Sequence, residues 1–346
     1  MRNGSASPKQ VRIKGEMPAP PSDLAAALSE KIVGQPAAIE AIVPYVQMYQ
    51  AGLAPEGRPA GVFLLLGPTG TGKTRTVEAL AEVLHGSDRN VLKVDCGEFQ
   101  MEHEVAKLIG APPGYLGHRE TQPLLNQQRL NSVTSDRSSL ALVLFDEIEK
   151  AAPSLTRLLL GILDKGILRL GDNTTVNFER SLVFMTSNLG ARSMMKELRP
   201  DFGFEAAVGR SLRETGRKLE SIALAAVRRR FSPEFVNRID RVITYRPLDD
   251  ETLAEILDQH IADLQRYLQE RLGPRAFSIE VPPESRRRLL REGASPEYGA
   301  RELKRTLQRR LTQPLAALVV GGRVEPGSRL SLDFDREQER FYLRSL

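Results

Sequence analysis

With 346 residues, 41% of them apolar and 27% charged, the chain is long enough for two domains, each with its own core, and has the make-up of a globular protein. Its longest apolar runs are strand-length, which argues against a helical membrane span, and its single cysteine, Cys96, excludes an intrachain disulfide and points to a reducing, cytoplasmic setting. The net charge of +5 sits in runs such as Arg228-Arg229-Arg230, Arg286-Arg287-Arg288 and Arg309-Arg310. These runs fall in helical sequence among acidic residues and have no accompanying nucleic-acid module, so solvated helix faces or subunit contacts are expected rather than nucleic-acid binding.

In chain order, residues 1–21 are polar and rich in Ser, Pro, Gly and Lys, which reads as a flexible tail without the apolar core of a signal peptide. From 22 to 247, apolar strands alternate with helices, the pattern of a parallel α/β sheet sandwiched by helices. The strands are expected at Val62–Leu66, Val91–Asp95, Ala141–Phe145, Leu182–Thr186 and Val242–Tyr245. Cys96 follows the second of these, where a buried structural thiol is expected.

The first strand runs into Gly67-Pro68-Thr69-Gly70-Thr71-Gly72-Lys73-Thr74, which meets the phosphate-loop pattern at every required position. A helix with Val77, Leu80, Ala81 and Leu84 on one face follows. Strand, glycine turn and helix together aim backbone N–H groups at phosphate oxygens, so this segment predicts a bound nucleoside triphosphate with Mg²⁺. Lys73 reaches the β- and γ-phosphates in this pattern, and the Thr74 hydroxyl helps to hold the metal.

The third strand ends in Asp146-Glu147. At the C-terminal end of a strand in such a sheet, Asp146 is placed to hold Mg²⁺ through water and Glu147 to polarise an attacking water. The fourth strand ends in Thr186-Ser187-Asn188, where Asn188 is a candidate for orienting that water and equally suits an ordinary strand-end turn. From 248 to 346 the pattern changes to a second, smaller domain. Asp249 or Asp250 caps a helix carrying Leu253, Ile256, Leu257, Ile261, Leu264 and Leu268. A strand at Ala276–Val281, helices near Glu284–Glu292 and Tyr298–Val320, and a hairpin through Leu330, Leu332, Phe334, Phe341 and Leu343 complete it.

Four further segments carry a family resemblance. They are Ile32-Val33-Gly34-Gln35, Leu108-Ile109-Gly110-Ala111-Pro112-Pro113-Gly114-Tyr115-Leu116-Gly117, Phe231-Ser232-Pro233-Glu234-Phe235-Val236-Asn237-Arg238-Ile239-Asp240 and Tyr298-Gly299-Ala300-Arg301. In this order the chain resembles the second ATPase module of the Clp unfoldases (ClpA, ClpB, ClpC) of the AAA+ superfamily, from about Leu24 to the C-terminus. The resemblance implies an AAA+ P-loop fold with a C-terminal helical and β lid domain. It makes Lys73 and Thr74 the Walker A ligands, Asp146 and Glu147 the Walker B pair, Asn188 sensor 1, Arg301 sensor 2 and Arg238 the arginine finger. Ile32 and Val33 would flank the adenine. Tyr115, with Leu116, would line an axial pore and grip unfolded or aggregated polypeptide. A homo-oligomeric ring, most often a hexamer, with ATP between subunits is implied.

The sequence matches one module without the N-terminal substrate domain, first ATPase module or coiled coil of those chaperones, so a single-module protein is expected. Residues 118–139 are longer and more polar than the family pattern. Phe202-Gly203-Phe204, after sensor 1, falls where protease-coupled members carry a loop that docks into a ClpP-like peptidase. The leading expectation is an ATP-driven unfoldase or remodelling chaperone. The alternatives are the regulatory ATPase of a peptidase, an ATP-switched assembly module that moves no chain, and a nucleic-acid motor.

Overall fold

A computed structural model describes residues 23–110, 123–198, 212–295 and 298–346. The expected tail, Tyr115, Leu116 and Phe202-Gly203-Phe204 lie outside the described residues.

Helix α1 (Leu24–Ser29) is capped by Asp23, whose carboxylate accepts the Ala26 N–H at 2.9 Å. Helix α2 (Pro36–Gln50) opens on proline, where a missing N–H costs nothing. Strand β1 (Gly61–Leu66) passes through the glycine turn into α3 (Lys73–His85). Strand β2 (Leu92–Asp95), short helices α4 (Ala106–Ile109) and α5 (Gln127–Ser132), strand β3 (Ala141–Asp146) and α6 (Pro153–Lys165) follow.

An antiparallel pair, β4 (Ile167–Arg169) with β5 (Thr175–Asn177), comes next. Strand β6 (Ser181–Ser187), α7 (Ala191–Leu198), α8 (Leu212–Arg230), α9 (Pro233–Val236) and β7 (Arg241–Thr244) complete the larger part.

The main sheet has five strands in the order β2-β3-β6-β1-β7, all parallel. Because successive side chains alternate between faces, each central strand feeds two cores. Val62, Leu64, Val143, Phe145, Val183 and Met185 face one side, packing with Leu155, Leu159 and Ile162 of α6 and with Ala223 and Val227 of α8. Phe63, Leu65, Leu142, Leu144, Leu182 and Phe184 face the other, against Ile39 and Ile42 of α2 and Val77, Leu80 and Leu84 of α3. Cys96 is buried, and burial pushes its thiol pKa far above the ordinary value. The described part of the unusual segment, 123–139, contributes to the first core through Leu125, Leu130 and Val133, with Asn126 capping α5.

The small domain begins with α10 (Asp250–Leu272), capped by Asp249, which accepts the Thr252 N–H at 2.8 Å. Strand β8 (Ser278–Glu280), α11 (Pro283–Gly293) and α12 (Ala300–Leu307) follow. A π-helical turn, Gln308–Thr312, leads from α12 into α13 (Gln313–Val320). Strand β9 (Arg329–Asp335) pairs antiparallel with β10 (Arg340–Ser345) and parallel with β8. Its core gathers Leu253, Leu257, Ile261, Leu289, Leu303, Leu311 and Leu332. Members of the two arginine runs in this domain form ion pairs on its surface: Arg288 with Glu292 at 3.0 Å, Arg309 with Glu302 at 2.9 Å, and Arg310 with Glu292 at 3.0 Å. No described helix is long and apolar enough to cross a membrane.

Candidate functional site

The C-terminal ends of β1, β3 and β6 lie side by side and open into a cleft of 510 Å³ roofed by the small domain. A parallel sheet places its loops, and so its ligand site, at this end. Lys73 starts α3 and is 9% exposed. Its ammonium donates to Gly67 O at 2.7 Å, Pro68 O at 2.8 Å and Asn188 Oδ1 at 2.8 Å, which satisfies all three donors within the chain. Burial pushes the Lys73 pKa down to about 8; the carboxylates of Glu149, Asp146 and Glu147 oppose that fall and Arg301 adds to it. The three glycines of the loop, Gly67, Gly70 and Gly72, all have positive φ.

Asp146 ends β3. Its Oδ1 accepts from the Thr186 hydroxyl and lies 3.5 Å from Thr74 Oγ1, while Oδ2 is 3.3 Å from Lys93 Nζ. Thr186 also accepts the Glu147 N–H at 2.9 Å, so one hydroxyl of β6 fixes both acidic residues. Glu147 adopts a left-handed conformation, φ 57, a strained choice for a carboxylate side chain and one that recurs at functional sites. Its carboxylate pairs with Lys150.

Thr74 Oγ1 and Asp146 Oδ1 are hard oxygen donors on adjacent elements. That set suits Mg²⁺, which takes one or two protein ligands and completes its shell with phosphate and water. Among the described residues there is no cluster of three or more His, Cys, Asp or Glu that would cage a metal by itself.

The remaining expected residues divide into two groups. Ile32 and Val33 line the same cleft, as do Thr69, Thr71 and Arg301. Arg238 does not: it sits after α9, paired with Asp164 of α6 at 3.2 Å. The small domain reaches the glycine turn directly, with the Ala300 N–H donating to Gly70 O at 3.0 Å. A second contact runs from Gln259 Nε2 to Glu30 O at 2.8 Å.

Three supporting residues escaped the sequence reading. Gln35, 4% exposed, donates to Thr71 O and Arg246 O and accepts the Arg246 N–H, tying the phosphate loop to the end of the large sheet. Its only signal was its place beside Ile32 and Val33. Thr186 precedes Asn188 by two residues, and β alternation would have put it on the opposite sheet face from its neighbours. Glu149 accepts the Asn188 N–H at 3.1 Å; in sequence it reads as a surface charge two residues past Glu147.

Comparison with known proteins agrees with this geometry. The family described as "AAA domain (Cdc48 subfamily)" matches residues 58–242, and the "C-terminal, D2-small domain, of ClpB protein" matches residues 248–332. Chaperone protein ClpB of Aquifex aeolicus is 37% identical over 308 residues, covering 89% of this chain and 29% of the relative. The ATP-dependent Clp protease ATP-binding subunit ClpC of Staphylococcus aureus is 35% identical over 314 residues, 91% of this chain and 36% of its own length. The chain thus spans about a third of the curated relatives it matches. Among solved structures, the extended S. cerevisiae Hsp104:casein complex superposes with a TM-score of 0.76 at 26% identity, covering 93% of this chain and 52% of that one. With the phosphate loop, acidic pair and roofing small domain in one cleft, the chain belongs to the Clp/Hsp100 family of AAA+ ATPases and matches their second, D2, module.

Proposed function

We propose that this chain hydrolyses ATP in a ring, most often a hexamer, and uses the cycle to remodel and thread unfolded or aggregated protein. The observation that carries the reading is the convergence on Lys73. Its ammonium, Asn188, the acidic pair and Arg301 come from three sheet strands and the small domain, and all face one cleft.

In this reading, phosphate oxygens replace the loop carbonyls as partners of Lys73, and the N–H groups opening α3 complete the cradle. Thr74 and Asp146 hold Mg²⁺, whose charge neutralises the phosphate oxygens when bound. Glu147, released from Lys150, accepts the proton of the attacking water, and Asn188 orients that water. Arg301 follows the small domain, so its charge reports whether the roof is closed. Arg238, paired with Asp164 outside its own cleft, would serve a neighbouring subunit's site. Tyr115 and Leu116 are assigned to the pore on resemblance alone.

Similarity to the ClpC subunit supports a second reading, in which Phe202-Gly203-Phe204 docks a peptidase. Deleting that loop should then abolish degradation of a tagged substrate while sparing ATPase activity.

The test of the main reading separates binding from chemistry. Glu147→Gln should bind ATP and stop turnover, whereas Lys73→Ala should bind poorly. Wild-type turnover in Glu147→Gln would remove Glu147 from the catalytic role.

A further inference from the structure

Glu149 belongs to no motif read from the sequence, yet it sits at the centre of the site's support. It lies in the single turn Ile148–Lys150 that follows β3. Its Oε1 accepts the Asn188 N–H at 3.1 Å, while its Oε2 is buried with no hydrogen-bond partner among the described residues. A carboxylate oxygen buried and unmatched is costly, so its retention calls for a reason.

Strand β6 ends at Ser187, so the Asn188 N–H has left the sheet ladder and needs an acceptor from elsewhere. Glu149 supplies it. With its backbone held there, Asn188 turns Oδ1 to Lys73 Nζ at 2.8 Å. Glu149 is also the carboxylate that acts most strongly on Lys73, ahead of Asp146 and Glu147.

The turn that carries Glu149 is itself anchored. Arg230, the last residue of α8, donates to Glu149 O through Nη2 at 2.8 Å and Nε at 3.1 Å, and through Nη2 to Ala151 O at 3.2 Å. Arg230 directly precedes the stacked Phe231–Phe235 pair, ring centroids 5.0 Å apart, and the same segment runs on to Arg238.

We propose that Glu149 is a positioning residue for hydrolysis: it holds Asn188 against Lys73, and Arg230 makes that hold depend on the α8–α9 segment that carries Arg238. The inference rests on the reading of this cleft as an ATPase site. Displacing a supporting group by about 1 Å can cost about a hundredfold in rate with little effect on affinity.

The test uses the full chain with Glu149→Ala, Glu149→Gln and Arg230→Ala, read by kcat, KM, nucleotide affinity from a fluorescent ADP analogue, and hydrogen exchange of the Asn188 amide. Glu149→Ala should lower kcat about tenfold or more with affinity within about threefold, and should speed exchange at Asn188. Glu149→Gln keeps an acceptor oxygen and should restore most of kcat and the slow exchange. Arg230→Ala should lower kcat by a smaller factor and speed the same amide.

Wild-type kcat in Glu149→Ala, an equal loss of affinity and rate, or a Gln variant as impaired as Ala would each overturn the proposal. The exchange arm needs no turnover. Absence of ATPase activity in the wild-type chain would therefore defeat the ATPase reading, while unchanged Asn188 exchange in Glu149→Ala would defeat the positioning claim.

Discussion

Gly299→Ala should open the cleft without unfolding the chain. Gly299 precedes α12 with φ 51, and a Cβ built there would lie 2.7 Å from Gly70 O and 3.0 Å from Gly70 C. Those are backbone atoms of the phosphate loop, so no side chain can swing aside. With ψ −138 this is a conformation that glycine alone adopts readily, and it costs a residue with a Cβ roughly 1–3 kcal/mol. Relief of the clash requires α12 to retreat, which breaks the 3.0 Å bond from the Ala300 N–H to Gly70 O, worth about 0.5–1.5 kcal/mol. The conformational cost and the clash fall on the closed state alone, and set against the bond lost on opening they disfavour the closed cleft by roughly 1–2 kcal/mol, or about five- to thirtyfold in its population. Neither core is touched, so the thermal midpoint should barely move. Fluorescence titration with a nucleotide analogue should show affinity weakened by up to about that factor, and turnover should fall with it as Arg301 withdraws. Wild-type affinity and turnover would show that contact between the small domain and the glycine turn is incidental to binding.

Arg238→Ala should keep nucleotide affinity within a few-fold and lose most hydrolysis, and mixing with Lys73→Ala subunits should recover some activity at mixed interfaces. No recovery in mixed rings verified by mass would argue for a role in its own subunit or none. Tyr115→Ala should spare basal ATPase activity and abolish substrate-stimulated turnover; unfolding at the wild-type rate would favour the assembly-switch reading. Burial holds the His85 pKa below its ordinary value, so the unfolded chain binds more protons than the folded one, and stability should fall as pH drops through about 6.5. His260, also lowered by burial, contributes with the same sign, so His85→Gln should flatten part of the loss in denaturant melts between about pH 7 and 5.5; an unchanged slope would refute it. Leu159→Ala, at a fully buried α6 position, should cost about 2–5 kcal/mol by the same melts; a loss under about 1 kcal/mol would mean the helix repacks.

The parts legible in the sequence are those in which one local rule dominates. Strands buried on both faces must be apolar throughout, so β1, β3 and β6 stood out as unbroken runs and were placed to within a residue or two. The glycine turn was legible because close backbone approach excludes side chains at fixed spacing. The β4–β5 pair gave no comparable signal, because each strand is three residues long and buries one side chain, Leu168 or Val176. The expected helix over Tyr298–Val320 starts at Ala300 and contains a π-helical turn at Gln308–Thr312, a change in hydrogen bonding that side-chain periodicity barely registers.

The site divides along the same line. Lys73, Asp146 and Glu147 were readable because each stands at a fixed distance along the chain from a glycine turn or a strand end. Glu149, Thr186 and Gln35 were not, because their partners come from other elements: Glu149 meets Asn188 across 39 positions, and Gln35 meets Arg246 across 211. A charge beside two other charges looks like solvent-facing surface until the fold brings a strand end against it. Arg238 marks the limit of a single chain from the other direction. The family resemblance assigns it to a nucleotide, yet in its own chain it pairs with Asp164 and lies outside the cleft that Arg301 lines. If Arg238 serves a neighbouring copy, as proposed, its own chain would show no more than this ion pair, so mixed rings, and not single-chain variants, decide its role.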